Sequence, residues 1–235
     1  MTNAENDRLS QIATRWTLLA QAHRDIGDSR HAAFAELLPK YCRAIERYLC
    51  RLVGNDAAED LTQEFAVRFL RGEFRHADPN RGRFRDYVKS SIIYLALAHR
   101  RKRAAQVHIG PMPAEITVTT EDADDHAFHD LWRQELLDRA WTEMKRISQD
   151  NDDLRYAVLA ARAKNPDSTS DQLAERLTEE LGRPISAANV RQVVHRARTQ
   201  FAELLRVEVA ATLPGSNEQQ VDEELAELGL LKYFR

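Results

Sequence analysis

Cysteine is scarce in this chain of 235 residues, which holds only Cys42 and Cys50. On one helix their separation corresponds to about 12 Å of rise, beyond the reach of a disulfide. A cross-linked secreted scaffold is therefore excluded. Uninterrupted apolar runs are missing too: none approaches the roughly 18 residues a spanning helix needs, and the mean hydropathy is −0.56. The opening MTNAENDRLSQ has no basic start followed by an apolar stretch, so no secretory signal is expected. Also lacking are a Gly-rich phosphate loop, a nucleophile elbow and a zinc-spaced Cys/His set. The expectation is a reduced, cytoplasmic protein without membrane insertion, not an enzyme, and without a cofactor or metal. With 43% hydrophobic and 30% charged residues, the chain is too apolar to be disordered. Its length allows one or two domains of roughly 100–200 residues.

Glycine and proline number only 8 and 7, and nearly all fall between periodic segments. Only Pro39 and Gly229 fall inside expected helices. Period-2 alternation is confined to Glu115-Ile116-Thr117-Val118-Thr119. That placement of breakers predicts an all-α chain, with helices near 6–25, 29–53, 56–71, 83–104, 127–148, 151–164, 169–181, 186–211 and 217–228. The longest break holds Gly110, Pro111, Pro113 and the acidic run Glu121-Asp122-Ala123-Asp124-Asp125. Such composition suits a flexible linker between two helical domains. The expected division is a first domain over 1–105, a linker over 106–126, a second domain over 127–213 and an acidic amphipathic segment over 214–235.

The formal charge of −3 hides an asymmetry. Arg81, Arg83, Arg85, Lys89, Arg100, Arg101, Lys102 and Arg103 are opposed, within their segment, only by Asp86. A concentrated basic segment in an otherwise acidic chain suggests a localised polyanion site, although a solvated face with intramolecular partners fits as well. Phe84, Val88, Ile92 and Leu95 recur at helical spacing and form a buried stripe. Arg85 and Lys89 fall on another face. The turn from Phe74 to Arg83 mixes aromatic, amide and guanidinium groups. Aromatic faces hold unstacked bases and arginines hold their phosphates, although most of the aromatics interleaved with the basic segment, Phe74, Phe84, Tyr87 and Tyr94, read as core.

Residues 169–211 are the other informative region. Gln172 to Leu177 is a short amphipathic helix; Gly182-Arg183-Pro184 breaks it, and Ser186 suits an N-cap. On the long helix that follows, Val190, Val193 or Val194, Ala197, Phe201 and Leu204 make an apolar stripe. Ser186, Ala187, Ala188, Asn189, Arg191, Gln192, His195, Arg196 and Arg198 remain as small or polar groups. This resembles a helix-turn-helix whose second helix enters the major groove, where Asn, Gln and Arg have bidentate geometry toward base edges. Any amphipathic helical hairpin shares the pattern.

Taken together, these pieces resemble a family. Ala58-Glu59-Asp60-Leu61-Thr62-Gln63-Glu64-Phe65, Asp78-Pro79-Asn80-Arg81-Gly82-Arg83-Phe84-Arg85 and Leu95-Ala96-Leu97-Ala98-His99-Arg100-Arg101-Lys102-Arg103 look like region 2 of bacterial sigma factors. Val190 to Arg198 looks like the recognition helix of region 4. Two domains with a short linker are similar to the extracytoplasmic-function (group 4) type of the sigma-70 family. The resemblance implies docking on core RNA polymerase by Asp60, Gln63, Glu64 and Arg68, with Leu61, Phe65 and Phe69 as the buried face of that helix. It implies minus-10 recognition by His76, Asn80, Arg81, Arg83, Arg85 and Lys89, and minus-35 recognition by Ser186, Ala188, Asn189, Arg191, Gln192, His195, Arg196 and Arg198. It implies promoter DNA and polymerase as partners, and an anti-sigma factor or other regulator could restrain such a protein. The linker, extended, spans about 60 Å, enough for two separate DNA elements.

Two departures stand out. Where the family often has Asp-Ala-Glu-Asp before the leucine, this chain has Ala57-Ala58-Glu59-Asp60, one carboxylate fewer. The turn before the second helix is also extended, by Thr178-Glu179-Glu180-Leu181. Phosphorylation of Thr62 would supply negative charge near Ala57. His126 and His129 beside Asp122, Asp125 and Asp130 make at most a weak metal pattern. The C-terminal stripe Val221, Leu225, Leu228 either packs on the second domain or shields its basic helix. Two rival functions remain open on sequence: a freestanding helix-turn-helix regulator, and a nucleic-acid or metal-dependent enzyme for which no convergent acid set is present.

Overall fold

The computed structural model describes residues 29–71, 73, 83–107, 123–213 and 217–234. Among these there is no strand, and the chain is all-α. Its helices are α1 (Ser29–Val53), α2 (Asn55–Leu70), α3 (Phe84–Val107), α4 (Ala123–Asp150), α5 (Arg155–Lys164), α6 (Ser170–Leu181), α7 (Ala187–Ala211) and α8 (Glu218–Glu227), followed by a 3-10 turn over Leu231–Phe234. The helix expected near 6–25 lies outside the described residues.

Two compact units divide the chain. The first holds α1, α2, α3 and α4 as far as Glu135, with the chain from Ala211, the last residue of the helix over Ala187–Ala211, to Leu213. Tyr41, Ile45, Tyr48, Leu49 and Leu52 of α1 repeat at the spacing that keeps one helix face inward, and all are buried. Leu61, Phe65 and Phe69 of α2 and Phe84, Val88, Ile92 and Leu95 of α3 are buried with them. The α1–α2 connection is one residue, Gly54, whose φ of 84° favours glycine because it carries no Cβ. Arg100 of α3 donates to the Leu52 carbonyl in the last turn of α1, a carbonyl without an intrahelical partner.

The first unit also takes Phe128 and Trp132 from α4, both fully buried. Trp132 stacks on Tyr41 at a centroid distance of 4.2 Å and 10° between planes. Phe84 lies 5.8 Å from Trp132, and Phe128 meets Tyr48 edge to face at 5.0 Å. Glu135, buried beside them, accepts from Arg43 Nε at 2.9 Å. The sequence expectation begins the second domain at 127; these side chains instead complete the first core. Their aromatic area has more to gain there, because stacked and edge-on rings bury large surfaces. The linker expected over 106–126 is likewise shorter, as α3 extends to Val107 and α4 begins at Ala123.

The second unit holds the rest of α4 and α5 to α8. Asp153 accepts from Arg155 N at 2.8 Å and from Ser148 Oγ at 3.0 Å, which separates α4 from α5. Thr169 and Gln172 cap α6 reciprocally, and Asn217 and Gln220 do the same for α8. Val158, Leu173, Ala174, Leu177, Ile185 and Val190 make one core cluster of α5, α6 and α7. Trp141 packs on Phe201 at 4.7 Å, and Arg139 Nε pairs with Glu208 at 2.7 Å. Gly229, expected inside a helix, instead follows α8 with a φ of 63° and turns the chain toward Leu231–Phe234.

Candidate nucleic-acid interface

On α2, the apolar positions turn Asp60 and Gln63 outward, where both are exposed. Glu64 and Arg68 stand half-buried one turn apart and form an ion pair. Arg68 also lies 4.0 Å from Glu73. The four polar residues expected on one ridge are therefore all at or near the surface of the first unit. Thr62 differs. It is 1% exposed, and its hydroxyl donates to the Ala58 carbonyl at 2.7 Å. The structure buries the hydroxyl that phosphorylation would have to reach.

Among the residues expected at the minus-10 element, His76, Asn80 and Arg81 lie outside the described residues. Arg83 and Lys89 are half-buried. Arg85 is only 2% exposed, with Nε 3.5 Å from Asp86. This corrects its assignment to a DNA-facing surface. A guanidinium so enclosed works inside the unit, and its long stem adds apolar contact. Nearby His129 is held below its ordinary value, first by burial and then by the positive charges of Arg85 and Lys89. Arg101, Lys102 and Arg103 are exposed at the end of α3.

Among the aromatics interleaved with the basic segment, Phe84 and Tyr87 are buried, whereas Tyr94 is 63% exposed. The signal was in the spacing: Tyr94 falls off the stripe of Phe84, Val88, Ile92 and Leu95. Ser90, Ala98 and Arg101 share its exposed face. An exposed ring beside a cation is a surface on which an unpaired base could stack.

In the second unit, Ser186 Oγ accepts from Asn189 N at 3.2 Å and starts α7. Gly182 ends α6 with φ 64°, and Thr178 Oγ1 accepts from Ile185 N at 3.0 Å within the turn. The extended turn is thus pinned by one hydroxyl, with Ile185 buried in the core cluster. Val190, Ala197 and Phe201 point inward. Ser186, Ala188, Arg191, Gln192, His195, Arg196 and Arg198 are exposed, and Asn189 is half-buried. The eight residues expected at the minus-35 element therefore gather along one helix and its N-cap. Its N-terminal end adds the positive pole of the helix dipole, which favours an anion.

The sequence expectation that the C-terminal segment packs on the second domain or shields its basic helix names Val221, Leu225 and Leu228; beside α7 stand Tyr233 and Phe234, which it does not name. A cleft of about 590 Å³ is lined by Arg191, His195 and Arg198 on one side and Tyr233 and Phe234 on the other. Only the aromatic pair at the end of the chain could have pointed to it.

Among the described residues, no group of three or more His, Cys, Asp or Glu is placed to hold a metal ion. Of the weak pattern around His126, Asp122 lies outside the described residues. Cys42 and Cys50 are free thiols on α1. Burial and the Glu135 carboxylate push the Cys42 thiol up to about 12, so it stays protonated and unreactive. None of the helices described is long and apolar enough to cross a membrane.

No curated protein and no solved structure matches the chain. Residues 37–106, which carry the exposed ridge of α2 and the basic helix α3, match the family model of sigma-70 region 2.

Proposed function

We propose that the chain is a sigma factor of the extracytoplasmic-function type that brings core RNA polymerase to promoters and has no catalytic role of its own. Asp60, Gln63, Glu64 and Arg68 of α2 dock on the polymerase. Arg83 and Lys89, with His76, Asn80 and Arg81, take the minus-10 element. The captured bases leave their stack at a cost of a few kcal/mol, and stacking with phosphate contacts offsets it. The second unit acts as a helix-turn-helix. The exposed face of α7, from Ser186 through Ala188, Asn189, Arg191, Gln192, His195 and Arg196 to Arg198, reads the minus-35 duplex from the major groove. One observation carries this reading: the sigma-70 region 2 match over 37–106 coincides with a helix whose apolar face is buried and whose Asp60 and Gln63 are exposed.

The test is transcription in vitro with core polymerase on fragmented genomic DNA, with start sites mapped. The full chain is expected to give discrete starts. Asp60→Lys with Glu64→Lys abolishes them, and Arg191→Ala with Arg196→Ala blurs promoter choice while leaving polymerase binding intact. A chain that binds duplex DNA but does not associate with core polymerase is instead the freestanding regulator. If both double variants initiate normally, these site assignments are wrong.

A further inference from the structure

The last residues of the chain lie along the helix that is read above as facing DNA. Leu228 and Leu230 are buried and anchor the segment after α8. Gly229, with its left-handed φ of 63°, redirects the chain between them. Leu231–Phe234 then form a single 3-10 turn. Tyr233 meets Phe201 of α7 edge to face at 5.9 Å. Two clefts flank this turn. The first, of about 590 Å³, sets Tyr233 and Phe234 opposite Arg191, His195 and Arg198. The second, of about 430 Å³, sets Lys232 and Tyr233 beside Trp141, Arg162 and Arg198. Arg198 borders both. An ion pair between Arg206 of α7 and Asp222 of α8 holds the base of the arrangement.

We infer that Leu231–Phe234 is a strap that competes with duplex DNA for the face of α7 formed by Arg191, His195 and Arg198. A recognition helix needs its polar stripe clear to enter a groove about 12 Å wide. A tyrosine and a phenylalanine standing beside three members of that stripe narrow the approach. The strap is also weakly held. Leu231 and Phe234 are 43% and 37% exposed, and a 3-10 turn of this length has little hydrogen bonding of its own. The upstream anchors, Val221, Leu225, Leu228 and Leu230, are by contrast almost fully buried. The hinge is therefore the peptide just after Leu230, and the strap can swing away while α8 and Leu230 stay docked. The isolated protein then binds duplex DNA only in the fraction of molecules whose strap is open, and its apparent affinity is lowered by that fraction. The inference rests on the reading of α7 as a duplex-reading helix, and the experiment separates the two.

Full-length chain is compared with a variant ending at Leu230, by fluorescence anisotropy on a labelled 25-base-pair duplex of random sequence at low salt. Circular dichroism checks that both are folded. Removing the strap is expected to tighten binding about fivefold, the ratio for a strap closed in four molecules of five. Adding Arg191→Ala and Arg198→Ala to the shortened variant cancels the gain. Phe234→Ala in the full chain, which leaves the Tyr233–Phe201 contact in place, gives a smaller gain of the same sign and carries the test if the shortened chain does not fold. Unchanged or weaker binding without the strap, while Arg191→Ala and Arg198→Ala weaken the full chain, overturns the strap and leaves the reading of α7 standing. Binding that ignores Arg191 and Arg198 in both lengths overturns the reading of α7, and the strap falls with it.

Discussion

At the scale of single residues, burial separates positive charges that look alike in the sequence. Arg85 and Lys89 stand one turn apart on α3, yet Arg85 is 2% exposed whereas Lys89 is half-buried. Their shared neighbour His129 senses both cations and its own burial, and all three keep its imidazole neutral. Asp86 opposes this and His126 reinforces it. The sign follows. Unfolded, the imidazole takes a proton near 6.5; folded, it does so only at lower pH. Its contribution to stability is therefore complete above pH 6.5 and is lost as pH falls through the depressed folded value. Thermal melts of the full chain between pH 7.5 and 5 should show a decline that His129→Gln reduces. Equal declines in both proteins would place the titration elsewhere. The burial of Arg85 was not legible in the sequence, because an arginine inside a core and one on a surface carry the same charge and helical phase; only neighbours distant in sequence enclose it.

Among the elements, those with local start signals were the most legible. Thr169, Ser186 and Asn217 are each cap residues, and the helices they open begin within a residue of where the sequence puts them. The break between α4 and α5 is subtler. Asp153 gathers the amide of Arg155, the Arg155 guanidinium and the Ser148 hydroxyl. Burial pushes its carboxyl up, but these donors outweigh it and hold the carboxyl below its ordinary value. Asp153→Ala should cost about 1 kcal/mol at neutral pH, the usual net worth of a side-chain hydrogen bond. Because the folded value is lowered, that stabilisation is complete above the ordinary value of 3.8 and lost as pH falls through the folded value. Denaturant melts at pH 7 and pH 3 should show the difference between the two proteins shrinking at the lower pH. A cost that does not change with pH would show that the carboxylate does not hold the turn between α4 and α5.

For the molecule as a whole, the helix α4 decides where it can be cut. Apolar positions recur along α4 from Phe128 through Trp132 and Leu136 to Ala140 and Met144, all buried. Period alone cannot say which core each one fills, so the sequence placed a boundary at the last loop residue it could see. The structure instead gives Phe128 and Trp132 to the first unit. A fragment ending at residue 126 should therefore fail to fold, whereas one ending at residue 150 should melt cooperatively. Trp132→Ala in the full chain should cost roughly 3–5 kcal/mol, the range for truncating a buried aromatic. A cooperative transition in the shorter fragment would show that the stack of Tyr41 and Trp132 is dispensable. The region 2 match ends at residue 106, so Phe128 and Trp132 extend the fold of that unit beyond the segment the family match covers.

The run Arg100-Arg101-Lys102-Arg103 looks like four equivalent handles for a polyanion. The bond from Arg100 to the Leu52 carbonyl makes it a fastener and leaves three handles. Drift among Arg and Lys is then cheap at 101, 102 and 103. At 100 a lysine reaches the Leu52 carbonyl on a shorter stem, with a compact ammonium in place of a planar guanidinium, so charge-preserving exchange there loosens α1 from α3 while every electrostatic tally of the sequence stays the same.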